Sequence, residues 1–292
     1  MKNVKLTEIL MYAEKREPIP AELALWVLNC DRTVLHHLMA VTNDLREKVF
    51  SNKISICSII NAKCGGCAED CKFCAQSINR GNPLPPGRMM DPDDIATQVD
   101  SDAIAGVARV GIVTSGNNPS RKLVGSVCSA VQQVKSRSVQ ACASLGVINS
   151  EALKQLRAAG ITRYHHNLET AESFFDSVCT THSYKDRLAT LERAREAGLQ
   201  LCSGGILGLG ETEEQCVELA GTLQKYRVDS IPLNFLVPIP GSPFGHLTPM
   251  KPMDMIRCIV MFRLMNPYAE IRVCAGRVQM GDLQSWMFAA GA

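Results

Sequence analysis

The chain has 292 residues, of which 46% are hydrophobic and 21% charged, as expected of a globular protein with one large or two small domains. Its 31 Lys and Arg residues against 29 Asp and Glu residues give a net charge of +2, which provides no compositional argument for binding to nucleic acid or to a membrane surface. No run of residues is long enough to span a membrane, and the N-terminal segment lacks a secretory signal, so we expect a cytoplasmic protein. The unusual feature is 13 cysteines, which should be reduced thiols in that compartment.

The first 50 residues show helical periodicity, with apolar positions such as Ile9, Ala13, Leu23 and Val27. We therefore predict a helical extension over residues 1–50 and one further domain over residues 51–292. From Ile54 onward, short β-rich runs alternate with helical segments. The seven predicted strands are Ile54–Ile60, Val107–Val113, Val139–Leu145, Thr162–Asn167, Gln200–Leu207, Ser230–Leu236 and Glu270–Cys274.

Strict alternation of strands and helices predicts an α/β fold with a parallel sheet and helical crossovers. Seven strands in a single run favour a TIM-type (β/α) barrel over a doubly wound sheet. After the seventh strand we predict one last helix, Leu283–Ala290. An eighth strand that would close the barrel is missing, so we expect either an open barrel or a natural chain that continues.

Three cysteines follow the first predicted strand on a loop that begins with two glycines. Cys67, Cys71 and Cys74 stand four and three residues apart, so their thiols can converge on one point. Three ligands are too few for a closed structural zinc site, but they suit a 4Fe-4S cluster with one open iron. The alternatives are a zinc site completed by Cys64 and reactive thiols without metal. No further Cys or His pair lies nearby at zinc-ribbon spacing, which favours the iron–sulfur interpretation.

This CxxxCxxC pattern, with the aromatic Phe73 directly before its last cysteine, resembles the radical S-adenosylmethionine (SAM) superfamily. The resemblance implies that Cys67, Cys71 and Cys74 hold a 4Fe-4S cluster whose open iron chelates the amino and carboxylate groups of SAM. It places Phe73 among the cofactor-binding residues. An electron delivered through the cluster would cleave SAM and yield a 5′-deoxyadenosyl radical.

Over roughly residues 50–292 the chain resembles the biotin synthase family. The stretches that carry this resemblance are GGCAEDCKFCAQS, YHHNLET, SYKDRLATLERAREAG, LCSGGILGLGET, IPLNFLVPIPGSP and IRVCAGRVQM. It implies insertion of sulfur into dethiobiotin to form biotin, with two SAM cleavages per product because two C–S bonds are made. It further implies an electron donor of the flavodoxin or ferredoxin type and allows a homodimer.

The resemblance implies a SAM pocket at the ends of the fourth and fifth strands. Glu169 would accept hydrogen bonds from the ribose hydroxyls, although it could instead cap the next helix. Arg187 would pair with the SAM carboxylate; otherwise it would be a solvated charge on a helix. The turn after the fifth strand would contact adenine, and a phosphate loop is disfavoured there because the Lys-Ser/Thr of a P-loop is absent. The residues assigned to that turn are Gly204, Ile206, Gly208 and Glu211.

Two asparagines at strand ends are the candidate substrate-binding residues. Asn167 and Asn234 resemble the pair that holds the ureido ring of dethiobiotin, since an amide side chain offers both a donor and an acceptor. Each one alone is more commonly a turn residue. His165 shares the strand face of Asn167 and is a weaker candidate for ligand contact.

Biotin synthases generally hold a second cluster, the sulfur donor, with three cysteines and one arginine. Cys142, Cys202 and Arg272 match three of those positions, but the fourth falls at Gly111, which cannot ligate. Cys274 lies two residues beyond Arg272 and hence on the same strand face. We therefore predict that Cys142, Cys202 and Cys274 hold the auxiliary cluster, with Arg272 beside it or as a weak ligand. The cluster is either 2Fe-2S or a four-iron type.

The remaining cysteines are interpreted as packing residues, with Cys64 as a possible alternative ligand near the cysteine loop. This group comprises Cys30, Cys57, Cys64, Cys128, Cys179, Cys216 and Cys258. Two alternative functions stay open. One is another radical SAM enzyme on the same barrel, such as a mutase or a metallocofactor maturase. The other, a non-catalytic iron–sulfur carrier or sensor, is disfavoured because a carrier needs no SAM pocket.

Overall fold

The computed structural model describes residues 2–79 and 84–292. Three helices precede the first strand: α1 Lys2–Lys15, α2 Ala21–Leu28 and α3 Arg32–Phe50. The α3 helix begins at Asp31, whose side chain accepts a 3.0 Å hydrogen bond from the Val34 amide. Both α2 and α3 pack against a later helix, α10 Pro252–Met265.

Eight strand segments form one parallel sheet. They are β1 Cys57–Lys63, β2 Arg109–Thr114, β3 Gln140–Ser144, β4 Arg163–His165, β5 Gln200–Cys202, β6 Gly205–Leu207, β7 Ser230–Phe235 and β8 Glu270–Val273. Their order is β1-β2-β3-β4-β5-β7-β6, with β8 on β7. The segments β5 and β6 correspond to one predicted strand, so the predicted seven-strand barrel of the radical SAM type is confirmed. In the described ranges no ladder joins β8 to β1, and the barrel is open at that seam.

The crossover helices lie outside the sheet. They are α4 Pro92–Ile104, α5 Arg121–Gln133, α6 Ser150–Ala159, α7 Glu172–Val178, α8 Tyr184–Glu196 and α9 Glu213–Lys225. The α8 and α9 helices begin with capping boxes, Ser183 with Asp186 and Thr212 with Gln215. Within the predicted last helix, Leu283–Ala290, only the short α11, Trp286–Ala289, is α-helical, and a 3-10 helix, Arg277–Leu283, precedes it. Gly281, at φ 53° and ψ −131°, interrupts the helical backbone there.

The main core lies between the strands and the surrounding helices, not inside the barrel. Outward-facing strand residues such as Ile60 and Tyr164 are 5% and 0% exposed, whereas the inward-facing Ile59 is 68% exposed. The barrel interior is therefore a partly open space in which polar and cysteine side chains can meet a ligand. No helix in the described part of the chain is long and apolar enough to cross a membrane.

Candidate active site

The cysteine loop after β1 has a backbone shaped by two glycines. Gly65 and Gly66 have φ angles of +67° and +62°, and a Cβ atom on Gly65 would lie 2.2 Å from the Pro85 carbonyl oxygen. Only glycine fits such a close approach at positive φ. The Ile78 amide donates a 2.8 Å hydrogen bond to the Cys67 carbonyl oxygen and fixes the return of the loop.

Cys67, Cys71 and Cys74 are all half-buried and line one cavity of about 190 Å³. The opposite wall comes from the carboxyl ends of β2, β3 and β4, the end of a barrel at which active sites form. Its polar residues include Thr114, Ser115, Asn117, Ser144, His165, His166, Asn167, Glu169 and Arg187. The structure therefore brings the three predicted cluster ligands together with four of the predicted ligand-binding residues, Phe73, Asn167, Glu169 and Arg187.

Arg187, Glu169 and Asn167 form a hydrogen-bonded group at the side of this cavity. Arg187 Nη1 donates to the Asn167 carbonyl oxygen at 2.7 Å and lies 3.5 Å from Glu169 Oε1. Asn167 Oδ1 accepts from the Gly204 amide at 3.2 Å. Glu169 has a φ of +69°, a strained conformation for a residue with a Cβ atom. The alternative role of Glu169 as a helix cap does not hold, because the N-cap of α7 is Ala171.

The turn after β6 is closed by a carboxylate. Glu211 Oε1 and Oε2 accept hydrogen bonds from the amides of Gly208 and Leu209 at 2.6 and 2.7 Å. A Cβ atom on Gly204 would lie 2.0 Å from the Pro232 carbonyl oxygen, so this glycine lets two strands approach each other. These contacts explain why glycine stands at position 204 and glutamate at position 211, since both residues determine the shape of the turn. Contact between the turn and a ligand stays a prediction.

Phe73 and Ile206, both predicted to bind the cofactor, pack against the same small apolar cluster. Its buried members are Val178, Leu209 and Leu236. The cysteine loop and the turn after β6 are therefore joined by apolar contact. This contact fixes the position of one wall of the predicted SAM pocket relative to the other.

The Asn234 side chain lies at the end of β7 and is hydrogen-bonded at both of its polar atoms. Its Nδ2 donates to the Gly205 carbonyl oxygen at 3.1 Å, and its Oδ1 accepts from the Ala275 amide at 3.1 Å. An asparagine amide retains a second hydrogen and a second lone pair after these bonds. Asn167 lines the cavity of the cysteine loop, whereas Asn234 is not part of that lining.

Two thiols of the predicted auxiliary site face the barrel interior. Cys142 on β3 is directly opposite Gly111 on β2, and its Sγ lies 3.6 Å from Arg109 Nη1. Cys202 at the end of β5 has its Sγ 3.1 Å from His165 Nδ1. Burial raises the pKa of the Cys142 thiol to about 11, while the Arg109 charge opposes that rise. Such a thiol needs a bound metal to lose its proton at neutral pH.

Arg272 and Cys274 lie at the open seam. The Arg272 guanidinium donates to Glu270 Oε2 at 2.8 Å, to Ser230 Oγ at 3.2 Å and to Ser55 Oγ at 2.8 Å. It thereby bridges β8 to the residues just before β1. Cys274 is exposed, but the pKa of its thiol is raised to about 11 by desolvation.

Sequence reasoning missed a polar network beside the cluster loop. Cys179 Sγ lies 3.7 Å from Cys71 Sγ, 3.3 Å from His182 Nδ1 and 3.1 Å from Asp70 Oδ1. The hydrogen bond from Cys71 is the largest cause that lowers the pKa of the Cys179 thiol, to about 4. The polar run Cys-Thr-Thr-His, directly after α7, was the available signal.

His182 connects this network to the arginine of the predicted SAM pocket. Its Nε2 accepts a 3.0 Å hydrogen bond from Arg187 Nε, and its Nδ1 lies 2.5 Å from Glu69 Oε2. The Arg187 side chain is therefore oriented from two sides, by His182 and by Glu169.

The known families match this arrangement. A model described as the radical SAM superfamily matches residues 63–223, and one described as the Biotin and Thiamin Synthesis associated domain matches residues 232–292. Together with the barrel and the three-cysteine loop, these matches define the chain as a radical SAM enzyme.

The curated relatives narrow this class. A biotin synthase of Maridesulfovibrio salexigens is 44% identical over 94% of this chain and 84% of its own length. A biotin synthase of Nitratidesulfovibrio vulgaris is 46% identical over 94% of this chain and 78% of its own length. The chain belongs to the biotin synthase family, the sulfur-inserting branch that the sequence resemblance indicated, and that prediction is confirmed.

Solved structures match the fold. Methylornithine synthase superimposes with a TM-score of 0.84 at 17% identity, covering 97% of this chain and 84% of that one. The FeFe-hydrogenase maturase of Carboxydothermus hydrogenoformans gives 0.82 at 17% identity, covering 99% and 70%. At such low identity these likenesses concern the barrel alone.

Proposed function

We propose that the protein inserts one sulfur atom into dethiobiotin to form biotin. The observation that carries this proposal is the convergence of Cys67, Cys71 and Cys74 with the Arg187–Glu169 pair on one cavity, in a chain 44% identical to a biotin synthase. Two C–H bonds of the substrate are replaced by two C–S bonds, so each product requires two hydrogen abstractions.

Cys67, Cys71 and Cys74 fit a 4Fe-4S cluster. They supply three thiolates to one half-buried point, and the loop backbone is already shaped by its glycines. When bound, the cluster and SAM supply the 5′-deoxyadenosyl radical. The contribution of the chain is to place the reacting groups and to exclude water from them.

Arg187 and Glu169 would bind two different groups of SAM. The Arg187 guanidinium is 7% exposed and suits the SAM carboxylate as a bidentate partner. Glu169 offers a carboxylate to the two ribose hydroxyls. The remaining SAM contacts fall to the apolar Phe73 and to the turn after β6, with Gly204, Ile206, Gly208 and Glu211.

Asn167 and Asn234 are the proposed anchors of the dethiobiotin ureido ring. The Asn234 amide is held by two backbone hydrogen bonds, and the Asn167 amide by one from the Gly204 amide and one to the Glu169 carboxylate. Each keeps one donor hydrogen and one lone pair for a ligand. A ring with N–H and C=O groups is complementary to such a pair.

The auxiliary, sulfur-donating cluster would be bound by Cys142, Cys202 and Cys274, with Arg272 beside it. The surroundings are suited to an anionic cluster, because the charges of Arg109 and Arg163 act on Cys142, and that of Arg272 acts on Cys202 and Cys274. Both a 2Fe-2S and a four-iron cluster are compatible with thiolate ligands.

The electron donor, the cellular compartment, the oligomeric state and the domain division are also proposals. Reduction of the cluster calls for a flavodoxin- or ferredoxin-type donor, and oxygen-sensitive clusters fit a cytoplasmic enzyme. A homodimer is compatible with the family. We assign residues 1–50 as a helical extension that covers one side of the barrel domain of residues 51–292, as the packing of α2 and α3 on α10 supports.

The decisive experiment measures 5′-deoxyadenosine and biotin from the anaerobically reconstituted enzyme with SAM and a reductant. We expect 5′-deoxyadenosine to form in response to dethiobiotin and to approach two molecules per biotin. SAM cleavage that ignores dethiobiotin would contradict the proposal and favour a mutase or a maturase. A reduced cluster whose spectrum does not respond to SAM would favour an electron carrier.

The auxiliary cluster can be tested in a C67A/C71A/C74A triple variant. We expect iron and sulfide to remain in this variant, with a Mössbauer spectrum that identifies the cluster type. A variant without residual cluster would contradict the second site. A C128A variant is the matched control, because Cys128 lies on α5 outside the barrel.

A further inference from the structure

The side chain of Cys57 faces the barrel interior. On the same strand, Ser58 Oγ bonds Asp102 of the outer helix α4, and Ile60 is 5% exposed within the outer core. Because side chains alternate along a strand, Cys57 and Ile59 project to the opposite face, into the lumen. Cys57 is exposed there, as is Ile59.

Cys57 lies among the thiols of the proposed auxiliary site. Its thiol is close enough to that of Cys202 for their charges to act on each other, and Cys274 is influenced in the same way by Cys57 and Cys202. Cys57 and Cys274 also line the same cavity, of about 330 Å³, at the open seam. Two thiols, from β1 and the end of β8, therefore line one cavity, and the thiol of Cys202 on β5 lies within electrostatic range of both.

The proposed auxiliary site has room for such a ligand. In the sheet, Gly111 stands directly between Ile59 and Cys142, so β2 offers no thiol at this level. A Cβ atom on Gly111 would make ordinary van der Waals contacts, 3.7 Å from the Ser58 carbonyl oxygen and 3.9 Å from Ile59 Cγ1, so nothing at this position is in steric conflict.

The arginine of the seam already has other hydrogen-bond partners. The guanidinium of Arg272 binds Glu270, Ser230 and Ser55, and it would have to leave them to reach a metal. A thiolate from Cys57 leaves those hydrogen bonds intact.

We propose that Cys57 supplies a fourth thiolate ligand, together with Cys142, Cys202 and Cys274, to the auxiliary cluster. This inference rests on the auxiliary site of the proposed function. Four cysteines form a complete ligand set for a 2Fe-2S or a 4Fe-4S cluster, so Arg272 acts as a nearby cation and not as a ligand. Each thiol loses its proton on binding, and no oxidant is consumed.

Alkylation mapping tests the ligand directly. The C67A/C71A/C74A variant is treated with iodoacetamide in its cluster-free and reconstituted forms, and the modified cysteines are mapped by peptide mass spectrometry. We expect Cys57 to be alkylated in the cluster-free form and protected after reconstitution. Cys64, which is also exposed and lies outside the proposed auxiliary site, is the internal control and should react in both forms. A loaded protein in which Cys57 is alkylated as fast as Cys64 would overturn the inference.

A second, spectroscopic experiment distinguishes a failure of this inference from a failure of the proposed function. Adding C57A to the triple variant should remove the residual cluster or change its Mössbauer and EPR signals, whereas adding C128A should leave them unchanged. Signals identical in the two variants would overturn the role of Cys57 alone. No cluster at all in the triple variant would overturn the auxiliary site as well.

Discussion

Glu270 is the acidic residue that balances two arginines at the floor of the barrel. Its carboxylate accepts hydrogen bonds from Arg163 Nη1 at 2.8 Å and Nη2 at 3.2 Å, and from Arg272 Nη2 at 2.8 Å. The Arg163 side chain is 3% exposed and that of Glu270 is 32% exposed. Replacing Glu270 with Gln keeps the shape but leaves a buried guanidinium without its counter-charge.

The size of the effect follows from the pKa. Burial alone would raise the pKa of Glu270, but the hydrogen bonds and charges of Arg163 and Arg272 outweigh burial and lower the pKa from 4.5 to about 2. At 1.36 kcal/mol per pKa unit, this difference is worth about 3 kcal/mol of stability at neutral pH. Loss of one partner from a buried pair typically costs about 3–5 kcal/mol, and the partial exposure of Glu270 places E270Q near the lower end.

The folded-state pKa lies below the unfolded value. The stabilisation is therefore complete above a pH of about 4.5 and is lost as the pH falls toward 2. Urea unfolding of the cluster-free, reduced protein, followed by circular dichroism, measures the free energy of unfolding at neutral and acidic pH. We expect E270Q to be about 2–3 kcal/mol less stable at pH 7, with a difference that shrinks in acid.

An exposed carboxylate provides the control for this comparison. Glu17→Gln should change stability by less than about 0.5 kcal/mol, as surface substitutions usually do. If E270Q behaved like E17Q at pH 7, or if its deficit stayed constant in acid, the assignment of Glu270 as the counter-charge of the buried arginine would be wrong.

Three further outcomes are expected. Arg187→Lys should raise the KM for SAM roughly 10- to 100-fold, because a charged hydrogen bond is worth about 1.5–3 kcal/mol. The iron content should stay unchanged, which shows that the cluster still assembles. An unchanged KM would argue against binding of the SAM carboxylate by Arg187. A Cys71 that ligates the cluster can only accept a hydrogen bond, so the Cys179 thiol would then be the donor across the 3.7 Å sulfur contact. Cys179→Ala removes that donor and should make the cluster potential more negative in an EPR-monitored titration, so an unshifted potential would exclude this tuning. Gly204→Ala should destabilise the protein by about 1–3 kcal/mol in thermal unfolding. Gly125→Ala is the control and should not destabilise it, because a Cβ atom on Gly125 meets nothing within 4 Å. Equal effects of the two substitutions would contradict the steric argument.

Local patterns predicted the secondary structure well, because the signals that begin and end these elements are short-range. The α6 helix, for example, ends at Gly160, which takes a φ of 113°, a conformation that glycine adopts readily. The predicted strand Gln200–Leu207 is broken in two because Gly204 approaches the neighbouring backbone too closely for a regular ladder. That approach depends on a strand 28 residues later, about which the local pattern carries no information.

The convergence of Cys67, Cys71 and Cys74 on one cavity was predictable for the same reason, since they lie within eight residues. The network around the cysteine loop was not. Cys179 is 108 residues from Cys71 and meets it only because α7 ends beside the loop. A cysteine after a buried helix suits apolar packing equally well, and only its polar neighbours in space separate the two interpretations.

Cys57 shows how the two-residue periodicity of a strand is informative and still incomplete. Alternation along a strand places Arg272 and Cys274 on one face of β8, and it places Cys57 and Ile59 on one face of β1. Periodicity alone does not say which face of β1 points into the barrel. The partners of Ser58 and Ile60 in the outer layer decide this, and the 68% exposure of Ile59 shows that the inner layer is not closed by packing. The outer apolar layer therefore supports the fold without filling the lumen, and the thiols and arginines that face the lumen lie outside the main apolar core.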